Sequence, residues 1–339
     1  MAEHSHKYDG VAEQFIPILE RYEIEYFREN KPVPFCGMEI YPVQTRDYEK
    51  FLNSLPCLTL NRKTSAQGLA KTDLGWLIAQ MKLPDKNPDK PEDPTWISGR
   101  TWSLRFQTLI ELVFRVKNGL KCKHEGCGHV IAYDSPEWLG ILKDAKTAAD
   151  SGKDPEPLKC PKCGTADSKE TPNFTEEIKV RDAPNKGDER LYVDGHEITP
   201  QDFQLFRYVV PFQNMPDYRD DSKIDPKLKQ DFEKRAEMMN KKNGSLIASL
   251  ERKAIAVSIC TGFDYGKLYD LPMRTFNQMF SMIRGKDDYL IAKLLTSVFP
   301  PEKGKPAPDI GDWVYEKDED MYAGVYHDLD EQKKGLGTR

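Results

Sequence analysis

Four cysteines near the middle of the chain form the residue pattern that most clearly encodes a chemistry. They read Cys122-Lys123-His124-Glu125-Gly126-Cys127-Gly128 and Cys160-Pro161-Lys162-Cys163-Gly164. Each is a pair of thiols closed by a glycine, the pattern of a tight turn whose backbone folds back so that both sulfurs reach one ion. Two such turns supply four thiolates at the corners of a tetrahedron, which fills the coordination sphere of Zn2+ and makes the site structural. The second pair is separated by two residues and the first by four, both within the usual range for metal-binding pairs. Between Cys127 and Cys160 lie 32 residues, more than a minimal ribbon needs, so an inserted element is expected there. His124 and His129 lie close enough in sequence to stand in for Cys122 or Cys127, although four cysteines are the simpler set.

A catalytic zinc site keeps one position open for water and places a general base beside it. The chain has no His-Glu-x-x-His. It also lacks the His-x-Glu that precedes Pro-Cys-x-x-Cys in zinc deaminases, although Lys159-Cys160-Pro161-Lys162-Cys163 resembles the end of that signature. Gly262-Phe263-Asp264-Tyr265-Gly266-Lys267 has the wrong spacing for a phosphate loop and no following Ser or Thr. There is no dinucleotide fingerprint and no nucleophile elbow. The histidines, at 4, 6, 124, 129, 196 and 327, form no triad-like pattern. The acidic pairs Glu176/Glu177, Asp220/Asp221 and Asp287/Asp288 read as solvated surface. Cys36, Cys57 and Cys260 read as small buried hydrophobes. The expectation is a protein that is not an enzyme, with a metal that serves folding.

The elements that must position these cysteines are mostly helical. Residues 11–30 carry Val11, Phe15, Ile18, Leu19, Tyr22 and Tyr26 at helical spacing, with Pro17 as an irregularity. Residues 32–42 read as a short hairpin turning at Cys36-Gly37. Helices are expected from Thr45 to about Leu55 and from about Thr72 to Lys82, then a proline-rich charged loop over 84–98. Thr101 to Lys117 is the strongest helix of the first half, and Asn118-Gly119 reads as its C-terminal cap. Ser135-Pro136-Glu137-Trp138 opens a helix inside the cysteine region, running to about Asp150. Two strand-like pieces follow, Glu176–Val180 and Leu191–Val193, with Asp194-Gly195 as a β-turn. Thr199-Pro200-Gln201-Asp202 starts another helix, with a loop expected over 211–223. Further helices are expected at about 225–241, 245–261 and 272–298.

These elements predict a mainly α (α+β) fold, a helical body with an inserted zinc-ribbon β module. The expected divisions are a disordered N-terminus (1–10), an N-terminal helical domain (11–118), the zinc module (119–182), a C-terminal helical domain packing on the first (183–300) and an acidic aromatic tail (301–339). In that tail Trp313, Tyr315, Tyr322 and Tyr326 stand among acids. One reading is a partly ordered terminus. The other makes Trp313, Tyr315 and Tyr322 anchors that dock on a neighbouring subunit, since Trp and Tyr dominate interface hot spots.

The 339 residues carry 50 Lys+Arg against 55 Asp+Glu, a formal charge of −5. Residues 120–182 alone hold 10 basic and 12 acidic side chains. A ribbon that grips phosphate is expected to be basic, so the charge argues against nucleic acid as a partner. No run of 18 apolar residues spans a membrane, and the first ten residues lack the apolar stretch of a signal peptide. Seven cysteines, four of them in metal-type spacing, point to a reducing compartment.

The order of short motifs carries a resemblance. Pro34-Phe35-x-Gly37-x-x-Ile40-Tyr41-Pro42 is followed by Asp47-Tyr48 on a helix, a Leu-rich helix leading into the cysteines, and the strand Glu176-Glu177-Ile178-Lys179-Val180. Beyond these come Gln213-Asn214-Met215-Pro216-Asp217-Tyr218, Asp225-Pro226 and Ser249-Leu250-Glu251-Arg252-Lys253. Over roughly residues 32–300 this resembles the baseplate-hub and tail-morphogenesis proteins of contractile-tailed bacteriophages. The inserted helix between the cysteine pairs and the tail after Pro300 depart from that pattern. The resemblance implies a hub component or a hub-assembly factor, placed in the virion tail baseplate or in the host cytoplasm during assembly. Its partners would be other tail proteins. A chaperone for the tape-measure protein and a zinc-ribbon nucleic-acid binder are the alternatives. No catalytic residue is carried over.

Overall fold

The computed structural model describes residues 8, 10–59, 72–93, 96–151, 157–168, 172–181, 187–220, 234 and 249–298. Among them helices alternate with three small antiparallel sheets, a mixed α and β fold.

The body forms around one buried helix, α6 (Pro200–Asn214). Its start follows from sequence: Thr199 Oγ1 accepts from the Asp202 amide at 3.3 Å, and Asp202 Oδ2 accepts from the Thr199 amide at 3.0 Å. This reciprocal pairing satisfies two amides that the helix leaves unbonded, and Pro200 occupies the first turn, where a missing N–H costs nothing. Phe203, Phe206, Val209, Val210 and Phe212 are fully buried. The expected loop from residue 211 is corrected: the helix runs through Pro211 to Asn214. A proline in the last turn removes a single hydrogen bond. Burial of Phe212, whose ring lies 5.2 Å from Tyr8 and 5.0 Å from Tyr218, holds that turn helical. The same contact shows that the fold takes in Tyr8, within the ten residues expected to be disordered.

Around α6 pack a helical segment (α1, Ile16–Tyr22), α2 (Tyr48–Ser54), α3 (Asp73–Met81) and α4 (Gly99–Phe114). Pro17 is not an irregularity, because it sits in the first turn of α1. A π-type turn, Glu23–Phe27, continues that segment and buries Phe27. Helix α4 starts at Ser98, which caps the Thr101 amide at 3.2 Å. It ends at Phe114, where Arg115 turns left-handed (φ 56), so Asn118-Gly119 is not its cap. Gly119 instead begins a strand, and a Cβ there would lie 2.2 Å from the Ile131 carbonyl oxygen. The hairpin β1 (Val33–Phe35) and β2 (Met38–Ile40) turns at Cys36-Gly37 (φ 48 and 77), as expected.

Strand β3 (Gly119–Cys122) lies between β4 (Val130–Ala132) and β5 (Phe174–Glu176). A second sheet is ordered β6 (Ile178–Arg181), β7 (Arg190–Val193), β8 (His196–Ile198), with Asp194-Gly195 turning between the last two. The single strand expected over Glu176–Val180 is thus two strands in different sheets, parted at Glu177. Ile178, Leu191, Val193 and Ile198 face the body's core. The cysteine module therefore ends near residue 176 rather than 182, and the segment after it begins as a sheet.

The last described elements are α7 (Leu250–Thr261), α8 (Tyr265–Leu268) and α9 (Met273–Val298), which share a small core of Ala254, Val257, Leu268 and Phe276. They join the body through a backbone pairing in which Thr45 N donates to Leu271 O and Met273 N to Val43 O, each at 2.8 Å. Of the helix expected over about 225–241, only residue 234 is described. No helix among the described residues is long and apolar enough to cross a membrane.

Candidate metal centre

The four cysteines meet. Cys122 ends β3, and its amide donates to His129 O at 2.8 Å, closing the first turn. Within that turn Cys127 N donates to His124 O at 2.9 Å. The second turn is closed by Cys160 N to Thr165 O at 2.9 Å and Gly164 N to Cys160 O at 2.8 Å. Gly128 and Gly164 both hold positive φ, 55° and 74°, with open space where a Cβ would stand. Glycine is placed there for backbone conformation rather than for room, as the sequence pattern implied.

Cys122 Sγ lies 3.7 Å from Cys163 Sγ, and Cys127 Sγ lies 3.6 Å from Cys160 Sγ. All four sulfurs fall within 4.8 Å of one another, and none is in a disulfide. Neither His124 nor His129 belongs to the group. His129 Nε2 faces Glu137 Oε2 at 3.5 Å instead. Cys122, Cys127 and Cys160 are buried and Cys163 is exposed.

Burial pushes the Cys122 thiol up to about 12, whereas hydrogen bonding to Thr165 holds Cys163 down at about 6. Four sulfurs this close cannot all ionise against one another's charge. A cation at their centre reverses that balance, because metal ligation deprotonates a coordinating thiol outright. The donor set is all sulfur, which suits a soft or borderline ion held by thiolates.

The surroundings of the cage are thin. Its core is Ile131 and Phe174 with the three buried cysteines, edged by Leu120, Trp138, Ile141 and Leu158. Trp138 comes from α5 (Pro136–Asp150), the helix expected between the cysteine pairs, and its ring lies 4.9 Å from Tyr133. Ser135 starts α5 by accepting from the Trp138 amide at 3.2 Å. At the base of the module, Lys121 reaches Glu177 at 3.2 Å and also pairs with Asp194.

The other sequence-selected residues fare differently. Trp313, Tyr315 and Tyr322 lie outside the described residues. Cys57 is buried and Cys36 half-buried, but Cys260 is exposed on α7, which corrects its assignment as a core residue. Several organising polar residues were not anticipated. Gln213 Nε2 donates to Ile40 O at 3.1 Å and to Lys31 O at 3.2 Å, and Asn214 Oδ1 accepts from Val43 N at 2.7 Å. Arg274 bonds Glu23 at 2.5 Å and Phe212 O at 2.8 Å, and Arg207 pairs with Asp73 while donating to Leu58 O at 2.6 Å. The one available signal was a Gln-Asn pair closing the apolar run Tyr208–Phe212 of α6. Buried amides need partners: Asn214 finds one on the segment that leaves the β1–β2 hairpin, and the Gln213 Nε2 finds two, on β2 and on the segment that enters the hairpin. Compared with models of protein families, with curated proteins and with solved structures, the chain matches none.

Proposed function

We propose that this chain is a zinc-stapled assembly protein of a contractile phage tail, a baseplate-hub component or a factor in hub formation. The observation that carries the structural role of the metal is the all-sulfur cage. Tetrahedral Zn2+ with Zn–S bonds of about 2.3 Å sets its sulfurs ~3.8 Å apart. The separations of 3.7 and 3.6 Å match that spacing, and the remaining ones, all within 4.8 Å, keep the four sulfurs in reach of one ion. With a thiolate at every corner and no carboxylate in the group, no position remains for an activated water. The metal then holds together a β module whose own core is too small, a zinc ribbon in function, and the chain is not an enzyme.

The tail-assembly reading rests on the resemblance, and two features support it. The motif segments that carry it are distant in sequence but packed together: Gln213 and Asn214 bond Ile40 and Val43, and the Lys253 ammonium lies 5.8 Å from the Tyr48 ring. In addition, Leu290, Ile291, Leu294, Leu295 and Val298 are exposed on the last turns of α9. Contiguous apolar exposure of this kind is a mark of subunits that associate.

The test is proteomic. Particles of the encoding phage, purified through density gradients, should retain the chain if it is a hub component. A factor or tape-measure chaperone should be absent from particles yet recovered with tail intermediates. Absence from both, or salt-sensitive retention on DNA or RNA, would remove the tail reading in favour of the nucleic-acid one.

A further inference from the structure

The four cysteines are not equivalent. Three are buried, and Cys163 alone opens to solvent. Its sulfur lies 3.7 Å from Cys122 Sγ, which belongs to the opposite turn. The other close pair, Cys127 and Cys160, is 3.6 Å apart, and both of its members are buried. The Cys163 turn lies at the surface: Pro161, Lys162, Cys163 and Gly164 are all exposed, and its ties are the two backbone bonds that close it and Lys162 Nζ donating to Cys127 O at 3.0 Å.

From this asymmetry we propose that Cys163 is an oxidative modification site, through which a hydroperoxide converts the metal cage into a Cys122–Cys163 disulfide and expels the ion. The inference rests on the zinc reading above. In the first step the Cys163 thiolate attacks one peroxide oxygen. The O–O bond breaks, Cys163 becomes a sulfenic acid and the other oxygen leaves as hydroxide or alkoxide. In the second step the Cys122 thiolate attacks the Cys163 sulfur, the S–O bond breaks and hydroxide leaves. Two sulfurs lose one electron each and one peroxide gains two. A sulfur separation of 3.7 Å must close to about 2.04 Å. That movement is one the exposed turn can make without disturbing β3. The ion, left with Cys127 and Cys160 alone, dissociates.

The pairing matters because it joins the two turns to each other. A bridge within one turn would release the module's halves, whereas Cys122–Cys163 keeps β3 and the second turn covalently tied. The oxidised module is therefore metal-free yet still cross-linked. Cys260, also exposed, has no such partner among the described cysteines and serves as an internal reference for simple surface oxidation.

The experiment uses the full chain, with zinc content measured first by atomic absorption. A chain that carries no zinc overturns the metal reading itself. On a chain that carries it, hydrogen peroxide is added and released zinc is followed with a chromophoric chelator. Alkylation and peptide mass mapping then locate the disulfide. The expected result is one zinc released per disulfide, with the bridge joining Cys122 and Cys163. Cys163→His keeps four ligands in a Cys3His set. It should slow peroxide-driven release by at least about tenfold, because the accessible thiolate nucleophile is gone. Cys260→Ser should leave the release rate unchanged. Zinc release with a Cys127–Cys160 bridge, or undiminished release from zinc-loaded Cys163→His, overturns the proposal.

Discussion

The body and the cysteine module solve the same problem with unequal means. Among the described residues the body buries 34 apolar side chains in one continuous core, arranged around α6. Stacking of Phe114 on Phe206, with centroids 5.6 Å apart, is typical of how it is filled. The module's cluster has five buried members, and three of them are Cys122, Cys127 and Cys160. Burial at roughly 25 cal/mol per Å2 stabilises the first easily and the second hardly at all. What differs is therefore the source of order: apolar area in one region, and in the other four cysteines placed where they could hold a metal ion.

The largest expected effect comes from removing the metal. Structural zinc contributes an apparent ~10–16 kcal/mol to small domains, so a strong chelator, or Cys160→Ser, should unfold residues 119–176 locally. Hydrogen exchange there should become fast, while far-ultraviolet helix signal from the body changes little. Global loss of that signal would make the two regions one cooperative unit and end the comparison. Next in size is Phe212→Ala, which should destabilise the body by about 4 kcal/mol, the cost of truncating a fully buried aromatic. Its urea midpoint should fall without any change in zinc content. Arg274→Ala should cost about 3 kcal/mol, because it removes the buried partner of the Glu23 carboxylate and leaves only the longer contact to the exposed Arg28 at 3.7 Å. Pairing it with Glu23→Gln should recover part of that loss in a double-mutant cycle. The smallest is Thr199→Ala, about 1 kcal/mol through loss of the α6 cap. A zinc-dependent stability change in any of these three variants would show that the cores communicate.

The same division explains what could be read from the chain. The cage was legible because thiol pairs and their glycines are local: spacing alone puts Cys122 near Cys127 and Cys160 near Cys163. The openings of α5 and α6 were legible for the same reason, each carried by a capping residue within three positions of the amide it satisfies. Pro17 and the Ser98 cap of α4 were local signals misread, but the larger failures are long-range. Nothing near residue 177 says that Glu176 pairs with β3 while Ile178 pairs with β7. The persistence of α6 through Pro211 depends on Tyr8 and Tyr218, which no local pattern reveals. Gly119 looked like a helix cap because its real neighbour, Ile131, lies across a strand pair. Cys260 looked buried because free cysteine is usually a core residue, whereas its exposure on α7 is a property of packing rather than of sequence.

The neck of the cysteine module has a consequence of its own. Glu177 N donates to Gly119 O at 3.0 Å, so the residue where the chain leaves the module touches the residue where it enters. Asp194 N, on the body's sheet, then donates to Glu177 O at 2.8 Å, fastening that junction to the body. An excursion of nearly sixty residues thus begins and ends at one point on the surface. Such a loop can be cut out and its stumps joined by a short turn, or another domain spliced in its place, without altering the path of the remaining backbone. The body is in this sense a socket, and the cysteine module one of the parts that fit it.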